Sequence, residues 1–159
     1  MHRQAWPALI ALLSLTCTTF PNYDIDELLA VPEEIEIDSR TFVLETFIWR
    51  DFQPICPPDG NPMIAIIWVV ATDSLPFPLS VDFDYLWIIK DEDNVWVTGF
   101  EEDETKIEDC RLEKVARDGP KWDVELPYPV LVDAVVQIKD GAGNRYLLRA
   151  ADQIIHITY

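Results

Sequence analysis

Histidine is almost missing from this chain: among 159 residues only His2 and His156 carry an imidazole. That excludes an H-E-x-x-H zinc site or a His-rich metal cage, both of which need several ligands at fixed spacing. His156 alternates with Ile155 and Ile157 and reads as a surface position on a strand. Basic residues are also scarce, 12 lysines and arginines against 29 acids, for a formal net charge of −17. A surface of that sign repels phosphates, which excludes nucleic acid as a partner, and it repels anionic lipid headgroups for the same reason. There is no G-x-S-x-G elbow, the main serine-hydrolase signature. Glycine occurs five times. The one glycine-rich stretch, DGAGNRY (140–146), lacks the third glycine of a dinucleotide loop and falls between strand patterns rather than before a helix. The acidic runs DEDN (91–94) and EEDETKIED (101–109) lack the D-x-D-x-D-G spacing of a calcium loop and read as solvated. No cofactor, no metal ligand and no catalytic residue is expected, and so no enzyme.

Long hydrophobic runs are missing too. The apolar stretch 5–15 is eleven residues long, well short of the roughly 20 that span a bilayer. It follows His2 and Arg3 and precedes small polar residues, the pattern of an export signal occupying residues 1–16. The sequence LSLTC (13–17) resembles a bacterial lipobox, although Leu15 and Thr16 stand where small residues are usual. Cys17 is therefore expected to be the lipid attachment site, holding the protein at a membrane of the cell envelope, facing periplasm or surface. Plain secretion after Ser14 and Thr16 is the alternative. With Cys17 acylated, Cys56 and Cys110 remain as one pair. In an oxidising compartment a disulfide between them is expected, stabilising by about 4 kcal/mol through the long loop it closes. Two free buried thiols are the other possibility.

What is abundant is apolar: 49% of residues are hydrophobic, too many for disorder. Residues 17–34 read as a tether, with Asp24 and Glu27 spaced to cap one helical turn before Pro32. Residues 35–159 read as one domain of strands. TFVLETFIWRDF (41–52) alternates, with Val43, Phe47 and Trp49 on one side. MIAIIWVVAT (63–72) is apolar on both faces, as in a central strand covered on both sides. FDYLWIIK (83–90) and NVWVTGF (94–100) flank a turn at DEDN. IEDCRLEKVA (107–116) reads as one strand. VLVDAVVQIK (130–139) and NRYLLRA (144–150) flank a turn at DGAG, and QIIHITY continues or follows the last strand. The proline-rich stretches fall between these runs, as connections or edges. The expected fold is all-β, a two-sheet antiparallel β-sandwich.

The aromatic residues offer one candidate site. With DEDN as a four-residue loop, Ile89 faces Trp96 and Trp87 faces Thr98. Trp87 and Trp96 then share one face, with Tyr85 on the same side. That face is either sandwich core or a stacking platform for a sugar or peptide.

ETFIWRDFQPICPPDGNPMIAIIWV, ARDGPKW and VDAVVQIKDGAGNRYLLRA resemble a group of small exported bacterial lipoproteins of unassigned function. The resemblance covers most of residues 40–150. It implies an immunoglobulin-like or fibronectin type III-like domain in the cell envelope and supplies no catalytic residues. A non-enzymatic binding or structural module is expected, meeting a protein or surface glycan through strand edges or loops. The alternative is a carbohydrate-binding or carbohydrate-active accessory protein using Trp87, Trp96 and loop carboxylates.

Overall fold

A computed structural model of the protein describes residues 20–101, 104–124 and 129–159. Within them the chain forms one short helix, α1 (Ile25–Leu29), and nine strands. The strands are β1 (Glu34–Ile37), β2 (Arg40–Asp51), β3 (Met63–Ala71), β4 (Asp82–Ile89), β5 (Val95–Gly99), β6 (Lys106–Glu108), β7 (Arg111–Gly119), β8 (Leu131–Lys139) and β9 (Arg145–Thr158). The all-β expectation is met. The joining of the strands differs from two separate antiparallel sheets: one hydrogen-bonded path runs β5-β4-β8-β9-β2-β3-β7-β6, with β1 added to β2. The link is β9, 14 residues long. Its first part pairs antiparallel with β8, and residues 155–158 then pair parallel with β2. The result is a single mixed sheet that curls over its own core.

Period-two alternation builds that core. In β3, Met63, Ala65, Ile67, Val69 and Ala71 are buried while the residues between them are half-buried. Phe42, Leu44 and Ile48 of β2 and Leu112 and Ala116 of β7 join them, in one cluster with Leu86 and Ile88 of β4, Val136 and Ile138 of β8 and Leu148 of β9. Full burial of each large aliphatic or aromatic side chain stabilises by about 1.5–3 kcal/mol. Lys114 of β7 ties the two halves: its Nζ donates to the Phe83 carbonyl at 2.7 Å and meets Asp82 at 2.8 Å. The ammonium also lies 5.1 Å from the centre of the Phe83 ring, so its burial is compensated on several sides.

The turns follow local chemistry. Asp38 and Ser39 both take positive φ, 50° and 62°, between Ile37 and Arg40, the two-residue geometry that suits a twisted hairpin. At the β8–β9 turn Gly143 has φ 85°. There the Asp140 carboxylate accepts from the Ala142 and Asn144 backbone N–H groups, the Asn144 amide and the Tyr146 hydroxyl. The stretch 107–116 is not the single strand expected. Asp109, at φ 49°, turns the chain back, and β6 pairs with β7 as a small hairpin.

Asp24 caps α1 as its spacing with Glu27 suggested, each residue accepting from the other's end of the capping box. The expected tether is corrected, however. Leu28 is 1% exposed and Val31 is buried, and the Arg149 backbone N–H donates to the Pro32 carbonyl at 3.0 Å. From residue 20 onward this segment is part of the folded body, because its apolar residues bury against one face of the sheet.

Candidate functional site

Cys17 lies outside the described residues. The expected Cys56–Cys110 disulfide is not formed; both thiols are free. Cys56 follows β2, where its sulfur accepts from the Asn61 amide at 3.0 Å. Cys110 sits in the β6–β7 turn, its carbonyl accepting from Ala71 N–H at 2.8 Å. They therefore flank opposite ends of the nine-residue β3. At about 3.3 Å per residue those ends are roughly 25–30 Å apart, against about 7 Å for bridgeable Cα atoms. Burial, with the Asp51 carboxylate beside it, pushes the Cys56 thiol up, away from the thiolate a nucleophile needs.

The aromatic platform of Trp87, Trp96 and Tyr85 is corrected as well. Trp96 pairs with Ile88 and Trp87 with Val97, one residue out of the expected register. A slip of one sends alternate side chains to opposite faces. The cause is Asp91, whose carboxylate accepts from the Asp93 and Asn94 backbone N–H groups and the Asn94 amide. This draws Asn94 into the ladder, where its carbonyl accepts from Lys90 N–H at 3.0 Å, and the loop closes over 91–93. Trp96 packs against the main core. Trp87, 2% exposed, belongs to a second cluster with Leu28, Val31, Ile89 and Val135. Tyr85 lies on the Trp87 side, ring centroids 6.2 Å apart. Tyr23 meets Trp87 edge-on at 5.6 Å and Phe20 meets Tyr85 at 5.8 Å. Trp87 is core and Trp96 is half-buried against the core, and residues 20–33 cover the outer face of β5-β4-β8.

The uncovered counterpart is the outer face of β2, β3 and β7. There the pleat turns out Val43, Glu45, Phe47 and Trp49, then Ile64, Ile66, Trp68 and Val70, then Arg111, Glu113, Val115 and Arg117. Phe47 is 40% exposed, and the other apolar members are half-buried. The doubly apolar stretch 63–72, read as a strand covered on both sides, is covered on one side only among the described residues. The signal for this face was thus present in the sequence, assigned to a second covering layer. Its aromatic rings are already engaged. Phe47 stacks on His156 at 4.8 Å, 23° from parallel, and lies 5.3 Å from Trp49 at 36°. Trp68 donates its indole N–H to Glu113 at 2.6 Å and has the Arg111 guanidinium 5.7 Å over its ring. Ring faces occupied by neighbours are poor stacking surfaces for a flat sugar.

Compared with protein families, curated proteins and solved structures, the chain matches none.

The concavities do not compete with this face. One, about 510 Å³, lies between α1 and the 91–94 turn, with Ile25 and Leu29 on one side and the carboxylates of Asp26, Asp91, Glu92, Asp93 and Asp133 around it. Two of its carboxylates have local work. Asn94 holds Asp91 below the usual carboxylate range. Burial raises the Asp133 carboxyl, opposed by the Arg149 guanidinium. No group of three or more metal-ligating side chains occurs among the described residues. A second cleft, about 270 Å³, adjoins Arg50. Arg50 is 2% exposed and donates to the carbonyls of Asn61, Trp122 and Asp59. It binds the 52–62 loop and the 120–124 segment to the end of β2, which is a structural task.

Proposed function

We propose that this chain is a non-enzymatic binding module of the cell envelope, exported and held to a membrane through a lipid on Cys17. It meets its partner, a protein, through the outer face of β2, β3 and β7. The observation that carries this reading is the apolar face of Phe47, Trp49, Ile64, Ile66, Trp68 and Val115. Contiguous apolar surface of this kind marks docking surfaces in soluble proteins. The stacked state of Phe47 and Trp49 and the engaged ring of Trp68 favour a protein over a glycan. Strand order supports an immunoglobulin-like identity for the domain. Lettering β2 to β9 in chain order as A, B, C, C′, D, E, F and G turns the observed path into C′-C-F-G followed by A-B-E-D. Those are the two sheet orders of that fold.

The test is a photo-reactive benzophenone residue in place of Phe47, with the protein expressed in its own host. Covalent adducts to protein are expected at position 47, and none at Asp82 on the opposite half. Adducts only to polysaccharide, or none at position 47, overturn the reading and return the carbohydrate alternative. Intact mass of the membrane-extracted protein tests the anchor: chains beginning at Cys17 and carrying acyl groups are expected, and an unmodified soluble product refutes it.

A further inference from the structure

We propose that the occupant of this face is a second copy of the same chain, resting on the protein-binding reading above. The two copies dock face to face about a two-fold axis that lies along the row Phe47–Ile66–Val115. Strand register carries the inference. Phe47 pairs with Ile66 and Ile66 with Val115, so three outward apolar side chains stand side by side across β2, β3 and β7. One outward step to either side of that row lie Glu45 and Trp49 on β2, Trp68 and Ile64 on β3, and Glu113 and Arg117 on β7, Arg117 beside the register shift where β7 carries one extra residue opposite Ile64. An axis along the row exchanges the two sides. Glu45 then meets the other copy's Trp49, Trp68 meets its Ile64, and Glu113 meets its Arg117.

All three exchanges are complementary, with Arg117 joining a Glu113 carboxylate that already accepts from the Trp68 indole and meets Lys106 at 3.4 Å. A carboxylate meets an indole N–H, an aromatic meets an aliphatic side chain, and an acid meets a base. Neither the Glu45 carboxylate nor the Trp49 indole N–H has a hydrogen-bond partner among the described residues. Arg117 uses its Nε on Glu104 at 2.8 Å, and its terminal nitrogens remain for a second carboxylate. Within one copy Glu113 and Arg117 stand four residues apart on β7, about 13 Å along the strand, so they cannot pair with each other. Such self-complementarity is what a two-fold interface requires, and nearly aligned strands are a standard way for sheets to pack. The face spans the five strands β9, β2, β3, β7 and β6. Over about eight residues each of β2, β3 and β7, with the four of β9 and three of β6 that pair beside them, it covers about 490 Å² in projection. A standard stable interface takes about 800 Å² per partner, which places this pair at the weaker end.

Sedimentation velocity of the purified protein from about 1 to 200 µM is the experiment. A monomer–dimer equilibrium with a dissociation constant of order 1–100 µM is expected. Phe47→Lys, which places two like charges at the axis, should abolish the dimer while leaving Tm within a few degrees. Val115→Lys, also on the axis, replaces it if that variant fails to fold. Glu113→Arg and Arg117→Glu should each weaken the dimer at least tenfold, and the double swap should restore it to within about threefold. Only a contact between copies allows that rescue. A wild-type protein that stays monomeric throughout overturns the proposal, and the photo-crosslinking at position 47 then decides separately whether another protein binds there. A dimer unaffected by the axis variants, or one that the double swap does not restore, also overturns it.

Discussion

Trp87 offers the sharpest test of how this fold is held. Its indole is 2% exposed and packs among Leu28, Val31, Ile89 and Val135, with the Tyr23 ring edge-on at 5.6 Å. Burying an indole removes about 200 Å² from water, worth about 5 kcal/mol at 25 cal/mol per Å². Compactness of the unfolded chain lowers that figure. Large-to-small changes at such sites measure about 3–5 kcal/mol, and Trp87→Ala is expected in that range. For a domain of this length the loss lowers Tm by roughly 10–20 °C. Because this cluster is the seat of residues 20–33, part of the effect should be local. Amide hydrogen exchange should show protection at 25–31 falling before that of β3 and β8. Thermal melting by circular dichroism, with exchange read by mass spectrometry, covers both effects. A soluble Trp87→Ala protein with near-native Tm and full protection at 25–31 would falsify the assignment of this side chain to the core.

Other residues give independent tests. Gly60 has φ 72°, and a Cβ there would lie 2.7 Å from the Phe52 ring, so Gly60→Ala should destabilise by about 1–3 kcal/mol in urea titration. Peptides containing Cys56 and Cys110 should both be alkylated in denaturant without prior reduction, and dithiothreitol should leave Tm unchanged; a linked peptide pair refutes this. Hydrogen bonds from Asn144 hold Asp140 below the ordinary carboxylate range. A depressed folded pKa means that the unfolded state binds the proton more readily. Its stabilisation is thus present above the unfolded value and is lost as pH falls through the folded one. The urea midpoint of Asp140→Asn should therefore lie below wild type at pH 7, with the gap narrowing as pH falls below the ordinary carboxylate range; a gap constant across pH would refute that assignment.

Some of this architecture could be read from residues directly. The alternation in 41–52, the turn at DGAG and the capping pair Asp24 and Glu27 all depend on neighbours in sequence, and each appears where expected. His156 was expected on a strand surface and is half-buried there, against Phe47. What failed depended on facts that are not local. The 83–100 hairpin slipped by one because a single carboxylate, Asp91, chose where the loop closes, and that choice decides the faces of both tryptophans. Counting cysteines paired Cys56 with Cys110 without knowing that β3 stands between them. The apolar odd and even positions of 63–72 were legible. Which of the two faces the chain itself would cover was a tertiary question, answered by α1 packing on the far half of the sheet.

The double duty of β9 also bears on how the fold is reached. Residues 155–158 close the parallel ladder with 48–51, and the Thr158 hydroxyl reaches Asp51 across a separation of 107 residues. Loops of that size are slow to close, and a topology dominated by distant partners folds late and cooperatively. During synthesis or translocation from the N-terminal end, β1 covers one edge of β2 at 40–43 at once, but the same edge at 48–51 must wait unsatisfied until nearly the whole domain has followed it. An open strand edge beside Phe47 and Trp49 is a point of vulnerability to misassociation. Deleting residues 155–159 should therefore trap the protein in that waiting state, making it prone to aggregate even though most of its core sequence is intact.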